Sequence, residues 1–183
     1  MTTRKSLLIG AALVAGAVVW YLFRPEALIV NRTVSEPFPM TEHAMSSMSD
    51  TPAMSAGPAM AKSPTMDEPT KVASGRFHSN AHQTRGVASI YRLEDGRRVL
   101  RLTEFATSNG PDVRVYLVAA GDVQHEAAAT QAGIVDLGAL KGNVGDQNYE
   151  VPAQVDLSKY RAVSIWCRRF SVNFGAAPLA ETM

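Results

Sequence analysis

The hydrophobic and polar positions divide the chain into three stretches. Leu7 to Phe23 is 17 residues without a charge. At a helical rise of about 1.5 Å per residue it reaches about 25 Å, enough for a thin bilayer. Trp20 and Tyr21 stand at its outer end, where amphipathic rings favour the interface. From Met40 to Lys71 there is no Leu, Ile, Val or aromatic residue, so this stretch cannot bury enough apolar surface to offset its ordering entropy. Beyond it the pattern has a period of two. Gly86 to Leu93 and Arg98 to Phe105, joined by Glu94-Asp95-Gly96, predict a hairpin. Leu100 and Leu102 share one of its faces. Val113 to Val118 alternates, with Val113, Val115 and Leu117 on one side and Arg114 and Tyr116 on the other. Ile134 to Leu137 and Asn148 to Val151 read as short strands, with Gly138 to Gln147 as a tight loop between them. Ala162 to Phe170 is the strongest strand. No segment keeps a 3.6-residue apolar period long enough for a substantial helix. The expected fold is all-β, a sandwich or barrel-like domain preceded by one transmembrane helix and a disordered linker.

This predicts a cytoplasmic tail at 1–6, a transmembrane signal anchor at 7–23, a tether at 24–71 and a β domain at 72–180. Arg4 and Lys5 outweigh Arg24 and Arg32, which are diluted by Glu26 and Glu36. The positive-inside rule then leaves the short tail in the cytoplasm and everything after Phe23 outside it. A cleaved signal peptide is the competing reading. The small-x-small site Ala15-Gly16-Ala17 lies inside the apolar run, and cleavage there would leave a greasy new terminus, so an uncleaved anchor is favoured. The tether repeats SDTPAM, SAGPAM and AKSPTM over 49–66. As a flexible coil, 40–70 would span about 30 Å.

Charge and chemistry narrow the functions. Eighteen basic residues are nearly cancelled by 17 acidic ones, for a net charge of +1, which gives no support for nucleic-acid binding. A single Cys excludes an intrachain disulfide framework and a Cys-rich metal site. No phosphate loop, nucleophile elbow or paired-carboxylate signature is present, so independent catalysis has no positive support. The Met residues of the tether read either as plain linker or, with His43, as soft ligands for Cu(I). Cys167 reads either as an inert core thiol or as a functional one whose thiolate Arg168 and Arg169 would favour. His82, beside His78, is a candidate ligand that with Cys167 could hold haem iron or copper. His125 has no partner nearby in sequence. Asn143, Asp146 and Asn148 match no calcium-loop spacing and fit turn chemistry better.

The domain resembles the DM-thirteen electron-transfer family. The resemblance is carried by Gly75-x-Phe77, His82, Gly86, Leu100-Arg101-Leu102-x-x-Phe105 and Thr107-Ser108-Asn109-Gly110-Pro111-Asp112. It continues through Val115-Tyr116-Leu117, Leu137-Gly138-x-Leu140-Lys141-Gly142-Asn143-x-Gly145-Asp146-Gln147-Asn148-Tyr149 and Val163-x-Ile165-Trp166-Cys167-x-x-Phe170-x-Val172-x-Phe174-Gly175. It implies an extracytoplasmic β domain whose one characteristic Cys, here Cys167, acts in redox transfer as a free thiol or by holding a prosthetic group such as haem. A redox partner protein is then expected. A binding or adhesion module with a structural Cys is the alternative, and a copper-handling protein using the Met-rich tether is another.

Overall fold

The computed structural model describes residues 30–39, 69–125 and 132–182, together with Gly10, residues 13–16 and Trp20 of the N-terminal run. Among the described residues no helix is long and apolar enough to cross a membrane. The expected membrane helix is therefore without structural support, since only six of its 17 positions are described. The whole Met/Pro repeat lies outside the described residues.

The expected all-β fold is present. The first strand is Thr33–Ser35 (β1). Thr70–Arg76 (β2), His78–Ser79 (β3), Arg85–Arg92 (β4) and Arg98–Ala106 (β5) follow. Then come Val113–Val118 (β6), Ile134–Ala139 (β7), Val144–Val151 (β8), Ala162–Cys167 (β9), Val172–Pro178 (β10) and Ala180–Glu181 (β11). They form a six-stranded sheet, β1-β8-β5-β4-β2-β11, and a five-stranded sheet, β3-β10-β9-β6-β7.

The period-two pattern explains the layering. Ile90, Leu100, Leu102 and Phe105 of the larger sheet meet Val115, Leu117, Val163 and Ile165 of the smaller one in a common core. Each such side chain contributes roughly 2 kcal/mol by leaving water. The alternate positions of β6 and β9, Tyr116, Val118 and Trp166, lie in a second buried cluster with Val123.

Two expectations about extent are corrected. Gly138 to Gln147 is not mainly loop: Gly138 and Ala139 finish β7, and β8 begins at Val144. Its polar residues are strand-compatible because they find protein partners instead of water. Gln147 is completely buried. Its Oε1 accepts from the Lys141 N–H at 3.1 Å and the Tyr149 hydroxyl at 2.7 Å, and its Nε2 donates to the Gly142 carbonyl at 2.9 Å. Burial pushes the Tyr149 phenol up to about 12.

The second correction concerns residues 30–39, assigned by sequence to the tether. β1 pairs in parallel with β8, Thr33 opposite Val144 and Ser35 opposite Asp146. Side chains hold it more than its short ladder does. The Arg32 N–H donates to Asn143 Oδ1 at 2.7 Å, and Asn143 Nδ2 donates to Asn31 Oδ1 at 2.8 Å and to the Thr107 carbonyl at 3.0 Å. The Glu36 N–H donates to the Asp146 carbonyl at 2.9 Å. Arg101 donates to the Glu36 carbonyl at 3.1 Å, to Asn148 Oδ1 at 2.9 Å and to Asp146 Oδ2 at 2.8 Å. Lys141 Nζ lies 2.8 Å from Glu36 Oε1. Phe38 meets Tyr91 edge-on, with ring centroids 4.9 Å apart. Gly145 has φ +102°, and a Cβ there would strike the Val34 carbonyl. A Cβ on Gly142 would likewise strike the Arg32 carbonyl.

Gly145→Ala should therefore destabilise the domain by about 1–3 kcal/mol in denaturant unfolding, through strain and lost approach of β1. Glu36 supplies a pH test. Burial pulls its carboxyl pKa upward, but hydrogen bonds from Lys141 and the Asn148 N–H, with the Lys141 and Arg101 charges, hold it below its ordinary 4.5. A depressed folded value means that its contribution is complete above 4.5 and is lost as pH falls through that lower value. Protection of the 31–38 amides, measured against the intrinsic exchange rate at each pH, should fall in acid over that window, and Glu36→Gln should flatten the dependence.

Candidate functional site

β9 is buried at all six positions and stops at Cys167, three residues short of the predicted end. The two arginines that follow cannot stay between sheets, so the chain turns through Arg168 to Ser171, and Ser171 adopts φ 55°. The Arg168 N–H donates to the Asp112 carbonyl at 2.9 Å, and its Nε donates to Asp112 Oδ2 at 2.8 Å. Arg168 thus binds the 107–112 loop, and Arg169 and Phe170 are exposed.

Cys167 itself is fully buried, 0% exposed, within the main core. Val113 of β6 and Val172 of β10 flank it across the ladders. A reactive thiol usually sits in an electropositive, partly open setting. This one is packed as a small hydrophobe, and the Arg168 guanidinium that was expected to favour thiolate is engaged by Asp112.

His82 lies outside the strands. Its N–H donates to the Phe174 carbonyl at 3.2 Å, and its ring lies on the Phe174 ring with centroids 3.9 Å apart. Phe174 and Cys167 belong to the same core, so both sequence candidates border one apolar region. Among the described residues no hydrogen bond joins His82 to Cys167. His78 has a separate role: its Nε2 is 2.8 Å from Asp122 Oδ1. Burial would raise the Asp122 pKa, but the hydrogen bonds from His78, the Val123 N–H and Gln124 hold it below the ordinary carboxylate value.

A surface cleft of about 360 Å³ opens beside this end of the sandwich, between residues 108–113 and 139–143, with Val30 and Arg32 on its rim. Val113 both lines it and pairs with Cys167. Neither this cleft nor the one between Thr70 and Tyr160 is lined by Cys167 or His82. Among the described residues no group of three His, Cys, Asp or Glu side chains is arranged to hold a metal ion. Cys167 and His82 therefore do not form a site for haem or copper in this arrangement: the thiol is enclosed and the imidazole is packed on a ring, while His43 and the Met residues of the tether lie outside the described residues. The oxygens of Asn143, Asp146 and Asn148 are likewise taken up by protein donors.

Sequence reasoning missed what Arg101 and the Gly142-Asn143-x-Gly145-Asp146 run do together. They build the seat for residues 31–37, and an Arg set between the core leucines Leu100 and Leu102 was the available signal.

A family model described as Electron transfer DM13 matches residues 76–179. The chain belongs to the DM13 electron-transfer family. The match spans more than half of the chain and covers the sandwich from the end of β2 to Leu179. No curated protein and no solved structure matches the chain. The general role of this DM13 domain is accordingly electron transfer.

Cys167→Ala should cost about 1–2 kcal/mol in chemical denaturation, and Cys167→Ser somewhat more because it buries a hydroxyl. A small alkylating reagent should modify Cys167 in the folded DM13 domain only at the rate at which the structure opens, and rapidly in denaturant.

Proposed function

We propose that the protein is an extracytoplasmic electron-transfer domain held at the membrane by residues 7–23, with Cys167 as its redox residue. The observation that carries this reading is the DM13 match over the sandwich that contains Cys167. The charge-free run and the Arg4/Lys5 flank support the anchor and its direction.

The burial of Cys167 narrows the chemistry. Thiol–disulfide exchange requires a thiolate to reach another sulfur in the open, and a fully enclosed sulfur does not offer that. Electron exchange at a buried group needs no such access. Two further oxidisable side chains lie on the opposite face of the same sheet: Trp166, the residue before Cys167, and Tyr116, whose rings stack with centroids 6.5 Å apart.

The same burial favours a second reading, a binding module in which Cys167 is structural and the cleft between 108–113 and 139–143 takes the ligand.

Protein isolated from its native membrane separates the two. The redox reading expects reversible electron uptake and release, measured by voltammetry of the full chain, that is lost in both Cys167→Ala and Cys167→Ser variants that remain folded. The absence of any reversible response in the wild-type chain supports the binding module, and an unchanged response in those variants removes Cys167 as the redox residue. Metal and haem analysis of the same preparation shows whether a prosthetic group accompanies the chain. External protease should reach the domain in right-side-out cells; protection there, with cleavage in inverted vesicles, would reverse the proposed topology.

A further inference from the structure

We propose that the Cys167 end of the sandwich rests on the lipid surface, with the Arg168-Arg169-Phe170 turn as its point of contact. This rests on the reading of 7–23 as a membrane anchor.

The strand registers identify that end. Cys167 pairs with Val113, and Ala106 pairs with Val144, which is also the partner of Thr33. The 168–171 turn, the 107–112 loop and residues 30–32 are therefore gathered together. Asn109 Nδ2 donates to the Val30 carbonyl at 2.9 Å, and Arg168 binds Asp112. The chain coming from the apolar run joins the domain here. Only six residues, 24–29, separate Phe23 from Val30, a reach of at most about 25 Å when extended.

The Met-rich segment adds nothing to that reach. Phe38, near its start, meets the Tyr91 ring, and Lys71, just past its end, pairs with Tyr91 and places Nζ 5.6 Å from the same ring. The chain leaves and returns at one place, toward the opposite end from Cys167. The expectation of a long spacer between anchor and domain is thereby replaced by a short link.

The turn has the chemistry of an interfacial contact. Phe170 is 65% exposed and Val30 64%, and the exposed Arg168 and Arg169 precede Phe170 in the turn. Isolated exposed apolar residues are ordinary. Here an aromatic ring, an aliphatic residue and two guanidiniums coincide where the chain arrives from the anchor. The ring suits the acyl boundary, and the guanidiniums suit anionic headgroups. Cys167 would then lie directly behind the contact, enclosed in the core one residue before the turn.

The test uses the full chain in vesicles of phosphatidylcholine and phosphatidylglycerol, with the photo-crosslinker p-benzoylphenylalanine placed in turn at positions 20, 170 and 154. Position 154 follows β8 at the far end. Lipid adducts are expected at 20 and 170 but not at 154. Adding Arg169→Glu should lower the yield at 170 by roughly fivefold or more, because one headgroup attraction is replaced by repulsion. It should change little in vesicles of phosphatidylcholine alone. Adducts at 20 with none at 170, equal adducts at 170 and 154, or protein adducts alone at 170 would each overturn the proposal while leaving the anchor standing. No lipid adduct at 20 would remove the anchor reading itself.

Discussion

The parallel pairing of β1 with the β8 edge is the contact on which the placement of this domain depends. It closes the six-stranded sheet with a segment distant in sequence and fixes where the chain arrives. Three residues of ladder are too few to hold a strand alone. Arg101, Asn143 and Glu36 supply charge-assisted or part-buried hydrogen bonds, which are stronger than neutral, solvent-exposed ones. Arg101 is central because one planar fork reaches the β1 backbone, Asn148 and Asp146 together. Gly142 and Gly145 then let the backbones approach. Much of the DM13 sequence signature around 138–149 is thus a seat for residues 31–37, and its chemistry is positional.

The parts of the fold that were legible in the sequence are those with local signals. The 86–105 hairpin and β6 are apolar-rich runs bounded by turn residues, so their existence follows from the pattern, while the irregularities in their pairing do not. β1 was illegible because it has three residues, no period, and partners more than a hundred positions away. The 138–147 stretch reads as loop because Gly, Asn and Asp usually mark loops, and only long-range partners such as Arg101 and Arg32 hold its polar residues in or beside strands. Cys167 was located, but its burial and the diversion of Arg168 to Asp112 depend on where β9 ends against β6. His82 is a ligand candidate from its type and its place in the family resemblance; what the sequence does not show is that its ring lies on Phe174.

Burial shapes what Cys167 can do. A sulfur between Val113 and Val172 is shielded from reagents and from other thiols, so any redox role must proceed without direct contact at the sulfur. The same enclosure keeps the thiol from drifting into disulfides in an oxidising compartment. Stability and the redox role proposed for Cys167 would place the same demand on this position, a closed apolar end to the sandwich, and the exposed turn that follows is left to meet the surroundings.

The central structural claim, that residues 31–38 are part of the domain, is tested most directly by the scalar coupling across the hydrogen bond from the Glu36 N–H to the Asp146 carbonyl, measured by NMR on the full chain. The expected result is a resolved coupling between the Glu36 nitrogen and the Asp146 carbonyl carbon. A Glu36 amide that shows no coupling and exchanges at the rate of an unstructured peptide would contradict it.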